Sequence, residues 1–122
     1  MAAKNVLTEV DRIDLFFDNL TPQTRINYEA HIPLVVGSDY RSFVRKAKKD
    51  PLTAENFLLR WLADVKNGKI KKMTTARELT NENLSAHSIR AYMASVKSLL
   101  TFCKCGVDFT EISRSLPKKG IG

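Results

Sequence analysis

Arg90, Lys97 and Lys104 recur at intervals of seven in SAHSIRAYMASVKSLLTFCKCG, residues 85–106. Seven residues are about two helical turns, so on a helix the three cations form one stripe drifting only ~20° per heptad. Ala94 and Thr101 fall on the same side and are small, and His87 and Ser88 stand near the start. Cations set among small side chains suit close approach to a nucleic-acid groove, and a helix N-terminus favours phosphate. A solvated back on an ordinary amphipathic helix explains the same stripe, so the other basic elements carry the decision. Thr24 and Arg25 open another predicted helix, Arg41, Arg45 and Lys48 make a second stripe, and Lys69, Lys71 and Lys72 form a basic patch. Four basic elements with little acidic interleaving point to a groove or clamp for a polyanion. With about six to eight phosphate contacts, binding falls with a log–log salt slope of about −5 to −7. Such contacts carry little base information.

The totals agree with a polyanion partner. The chain has 122 residues, 43% hydrophobic and 27% charged, with net charge +7. The first 20 residues hold two basic and four acidic groups, which leaves 18 basic and 9 acidic groups on the rest. This is one domain, with room for one core but short for an enzyme with a dedicated cleft. No apolar run approaches the ~20 residues of a membrane span, and MAAKNVLTEVD lacks the apolar centre of a signal peptide. A cytoplasmic, nucleoid-associated protein with no membrane partner is expected. Cys103 and Cys105 are too close in sequence to close a useful disulfide, and with only His31 and His87 as histidines a zinc site is poorly supplied. Both are read as reduced thiols, Cys103 in the core and Cys105 near a helix end. Neither H-E-x-x-H, nor G-x-S-x-G, nor a phosphate-binding glycine loop occurs. No catalytic residue, cofactor or metal is expected.

The elements that position these residues read as helices, with no sustained period-two pattern. Thr8 is the expected first cap, followed by an apolar stripe of Val10, Ile13, Phe16, Phe17 and Leu20. Thr21 caps the next helix, with Pro22 at N1, and Pro33 is expected to stop it near His31. IPLVVG then reads as an apolar connector. A third helix from Ser38 or Asp39 buries Tyr40, Phe43, Val44 and Ala47, and Asp50-Pro51 breaks it. Thr53 is the next expected cap, ahead of a stripe of Ala54, Phe57, Leu58, Trp61, Leu62 and Val65 that Asn67-Gly68 ends. A polar loop, KIKKMTTARELTNEN, leads to Ser85 as cap of the opening helix. There Ile89, Tyr92, Met93, Val96, Leu99, Leu100 and Cys103 face the core and Gly106 fits C′. A short helix over 110–116 precedes Pro117. The result is an all-α bundle of five to six helices.

Three stretches together resemble the N-terminal core-binding domain of tyrosine recombinases, the phage-integrase family. LTPQTRINYEAHI is similar to that family's Leu/Ser-x-x-Thr-x-x-x-Tyr helix start, with Thr24 and Tyr28 in the marked places. SAHSIRAYMASVKSLLTFC is similar to its Ser-x-x-Thr-Ile-x-x-x-Leu-Ser-Ala-Leu-Lys/Arg-x-Phe-Phe helix, with Ser88 in the Thr place and Leu99 and Leu100 where aromatics stand. VDFTEISRSLPKKG resembles the short helix and linker ahead of the catalytic domain, and the details look closest to archaeal-type integrases.

The resemblance implies a SAM-like orthogonal all-α bundle over residues 1–117, with 118–122 starting a linker to an absent C-terminal catalytic domain. It implies a module that grips double-stranded DNA at a crossover site during DNA integration and recombination, alongside further recombinase protomers. The helices from Pro22 and Ser85 would cross the major groove. Catalysis would belong to the missing domain, so Tyr28 and Tyr92 are read as packing residues, Tyr40 as the head of an apolar stripe, and none as a nucleophile. Two other readings remain: a protein-interaction domain using apolar surface around IPLVV, and a self-standing helix-turn-helix regulator. The long polar loop before Ser85 disfavours the latter, which needs a short turn.

Overall fold

Four helices begin at side chains that accept the otherwise orphaned N–H three residues on. Thr21 accepts from Thr24, Asp39 from Ser42, Asp50 from Thr53 and Ser85 from Ser88. The computed structural model describes residues 9–73 and 79–117. The expected cap at Thr8 and the linker at 118–122 lie outside them, as does the side chain of Val10. The elements are α1 (Glu9–Asp18), α2 (Pro22–Val36), α3 (Tyr40–Lys49), α4 (Pro51–Lys66), β1 (Lys71–Met73), β2 (Leu79–Asn83), α5 (Ala86–Phe102) and α6 (Thr110–Ser115). The fold is a small all-α bundle with a two-stranded hairpin.

The core is built from the predicted stripes. Ile13, Phe16 and Phe17 of α1, Leu58, Trp61, Leu62 and Val65 of α4, and Ile89, Met93, Val96, Leu99 and Leu100 of α5 are all buried. α5 packs most extensively on α2, α3 pairs with α4, and α6 closes on α4 through Ile112. Phe57 departs from its stripe and stands 44% exposed. The long-range bond from Arg12 Nε to the Phe102 carbonyl, 3.0 Å, ties α1 to the end of α5. Cys103 and Cys105 are both buried, and Cys105 Sγ lies 3.7 Å from the Val44 carbonyl oxygen.

Several local expectations are corrected. α2 does not stop near His31 but runs through Pro33 to Val36. A proline inside a helix costs about 3 kcal/mol. The continued turn buries Ile32 and Val35 completely or nearly so, worth about 1.5–3 kcal/mol each. Burial matches or exceeds the cost, so the helix continues. Within IPLVV, Ile32 and Val35 belong to the core, while Pro33, Leu34 and Val36 stay half-buried. Thr53 is not the cap of α4. Asp50 is, and its own N–H bonds the Lys46 carbonyl at 2.8 Å, so one residue ends α3 and starts α4. Pro51 then occupies N1, where no N–H is needed.

Gly106 is not at C′ of α5. That place belongs to Lys104, at φ 57°. The N–H of Cys105 bonds the Leu100 carbonyl and that of Lys104 the Thr101 carbonyl, both at 3.1 Å, which is a Schellman ending. α4 ends the same way with Gly68 in the left-handed position, as its sequence predicts.

The segment read as a loop also differs. β1 and β2 pair antiparallel with Lys71 opposite Asn83 and Met73 opposite Leu79, and the register shifts between the two pairs. The Thr80 hydroxyl donates to the Lys72 carbonyl at 2.8 Å, and Lys71 Nζ donates to Asn83 Oδ1 at 2.8 Å. Strand pairing satisfies the backbone of a segment too polar to bury as helix.

Candidate nucleic-acid interface

The hairpin decides which of the basic residues meet. Asn83, the partner of Lys71, lies two residues before the Ser85 cap of α5. Lys71 is thereby held toward the start of α5, and Lys69 and Lys72 flank it in the same strand region. The cap is well formed. Ser88 N–H donates to Ser85 Oγ, and Ser85 Oγ in turn donates to Ser88 Oγ, both at 3.1 Å. His87 is exposed in this first turn, and Ser88 is half-buried.

Arg90 follows one turn along α5, half-buried, and Ala94, Lys97 and Thr101 continue the same face in the open. Arg90 and Lys97 are about 10 Å apart along the axis at 1.5 Å per residue. Lys97 Nζ sits 5.8 Å from the centroid of Phe109, which holds the ammonium close to the surface at the foot of α6. Among the described residues Lys69, Lys71, Arg90 and Lys97 have no carboxylate partner, and Lys72 has one distant contact, Glu82 at 3.9 Å. This face is a run of open cations leading from a capped helix start.

Arg25 and Arg41 have a different setting. Arg41 Nη2 is 2.8 Å from Asp14 Oδ1, and Arg25 bridges Glu29 Oε2 at 3.0 Å and Asp18 Oδ1 at 3.1 Å. The Asp14 bond raises the Arg41 pKa, and the Glu29 bond, with Asp18 adding to it, raises that of Arg25. The acidic residues of α1 thus face two of the predicted phosphate ligands and neutralise them. Arg45 is exposed one turn beyond Arg41 on α3. Thr24 is half-buried and accepts a hydrogen bond from Thr21 Oγ1 at 2.9 Å, so its hydroxyl belongs to the cap of α2.

The helix starts at Thr24 and Ser88 are not side by side. The His31 ring meets Tyr92, six residues into α5, at 4.6 Å. Earlier in α2, Tyr28 stacks on Phe16, which in turn meets Phe102, the last residue of α5. Contacts along α2 and α5 therefore run in opposite senses, and the start of α2 lies toward the far end of α5. Tyr28 and Tyr92 pack as expected, and Tyr40 meets Phe17 at 5.9 Å.

Two polar groups that the sequence did not single out are His31 Nδ1 and Trp61 Nε1. Both are buried with no hydrogen-bond partner among the described residues. Burial also holds the His31 imidazole below its ordinary pKa, favouring the neutral ring. Nothing in a helical stripe marks either atom as orphaned, because partners depend on which helices meet. Among the described residues no cluster of His, Cys, Asp and Glu is arranged to hold a metal ion, and no helix is long and apolar enough to cross a membrane. No family model matches the chain, and neither the curated proteins nor the solved structures contain a match to it.

Proposed function

We propose that this chain is a duplex-DNA-binding module, the core-binding domain of a tyrosine recombinase that acts in DNA integration and recombination. The observation that carries the proposal is the α5–hairpin face. Lys71 is held to Asn83, two residues before the Ser85-capped helix start, with Lys69 and Lys72 flanking it, and Arg90 and Lys97 extend the positive line across small side chains. A helix N-terminus and aligned cations are what a phosphate backbone needs, and Ala94 leaves room for a base edge to approach. In this reading the module holds DNA and breaks no bond itself. Strand cleavage belongs to a separate catalytic domain, and other protomers share the site.

The test is duplex binding by fluorescence anisotropy at low salt, with far-UV circular dichroism confirming the fold. Arg90→Glu with Lys97→Glu is expected to weaken binding at least tenfold while the helical signal and Tm stay close to wild type. Unchanged affinity in that folded variant removes α5 as the reading element.

A further inference from the structure

A cleft of about 370 Å³ opens between the end of α2, the hairpin and the start of α5. Leu34, Ile70, Leu84 and Tyr92 supply apolar wall, and Lys69 and Lys71 supply its charge. Among the described residues no carboxylate lines it. The larger groove between α3 and α4, about 560 Å³, sets Asp39 and Asp50 against Lys46 and Lys49 and so has no charge preference. The α2–hairpin cleft has one. Its volume falls in the ~300–1,000 Å³ range of small-molecule sites, and its combination of apolar wall and few polar groups is that of a ligand pocket.

Two further observations point to an occupant. Trp61 lines the cleft and is 6% exposed, and its indole N–H has no acceptor among the described residues. The apolar part of its ring thus adds to the wall of the cleft while the N–H stays closed off. Leu79, at the lip, is 69% exposed and offers apolar surface to an occupant of the cleft. Lys71 donates to Asn83 Oδ1, which positions the ammonium and leaves two of its three N–H donors available.

We propose that this cleft binds a small amphipathic monoanion, an aliphatic or aryl carboxylate. Its apolar body would lie against Leu34, Leu84 and Tyr92 beneath Leu79, and its carboxylate would meet Lys69 and Lys71. Lys69 and Lys71 also belong to the proposed duplex face, and because the test below is read without DNA, either reading can fail without the other.

Trp61 is the one tryptophan of the chain, so it reports on its own cleft. Decanoate added to the intact protein is expected to shift or quench Trp61 emission saturably, with 1:1 stoichiometry and half-saturation below 1 mM (about the affinity of a weak small ligand). Decyltrimethylammonium, with the same chain and opposite charge, is expected to bind at least tenfold more weakly. Lys69→Met with Lys71→Met, both on the surface, is expected to weaken decanoate at least fivefold and abolish the preference for the anion. Absence of a saturable response to decanoate overturns the proposal. Equal binding of the two chain analogues overturns it as well, because the cleft is then merely greasy. So does an unchanged affinity in the lysine variant with circular dichroism intact.

Discussion

Lys104 stands at the end of the seven-residue series and does not share the setting of Arg90 and Lys97. It holds the left-handed position of a Schellman ending, at φ 57°, where α4 uses Gly68. A side chain with a Cβ costs roughly 1–2 kcal/mol there, against none for glycine. Glycine also loses more backbone entropy on folding, which offsets part of that gain. Lys104→Gly is therefore expected to stabilise the domain by about 0.5–1 kcal/mol in urea unfolding and to leave duplex affinity within twofold. A loss of stability would mean that the lysine side chain contributes more than the backbone strain removes. The spacing of seven was legible in the sequence, and the strain was not. Sequence pointed to Gly106 because glycine is the usual C′ residue, whereas the helix ends where Leu100 and Thr101 can accept the last N–H groups.

At the scale of elements, stripes of buried residues were legible and boundaries were less so. Ile89, Met93, Val96, Leu99 and Leu100 recur at helical spacing, and all are buried on α5. Ser85 and Thr21 were equally plain as caps, because the N–H they satisfy lies three residues away. The hairpin was not legible, since β1 has three residues, too few to show alternation, and β2 is almost wholly exposed. The end of α2 was misjudged because a local rule about Pro33 met a tertiary gain, the burial of Ile32 and Val35. That contest is measurable. Pro33→Ala supplies an N–H for the Glu29 carbonyl and removes the ring from the preceding turn. The same change restores unfolded-chain entropy that proline had removed, about 0.4–1 kcal/mol. A net gain of about 2 kcal/mol is expected by chemical denaturation, with helical content slightly higher. If Pro33→Ala destabilises instead, packing of the proline ring beside the cleft outweighs the missing hydrogen bond.

For the whole molecule, the question is which side faces a polyanion. The chain carries net charge +7, and its charge asymmetry was visible in the sequence, but pairing across the fold was not. Asp14 and Arg41 are 27 residues apart in the chain and 2.8 Å apart in space. α1 places its carboxylates over the starts of α2 and α3, so Arg25 and Arg41 face acid, while the hairpin and α5 stay open. On the proposed reading these two pairs leave fewer cations free for phosphate. If Lys69, Lys71, Lys72, Arg90 and Lys97 carry the binding, about five contacts give a log–log salt slope of about −4 to −5 rather than −5 to −7. The two sides can be separated directly. Exposed ion pairs contribute little to stability, so Arg25→Ala with Arg41→Ala is expected to fold with a small loss of Tm. It should leave both duplex affinity and salt slope nearly unchanged, whereas Arg90→Glu with Lys97→Glu reduces both. If the Arg25 and Arg41 variant instead lowers affinity tenfold and the slope by about two, phosphate displaces Asp14 and Asp18 on binding. The gripping face would then lie around α1, with α5 serving the core alone.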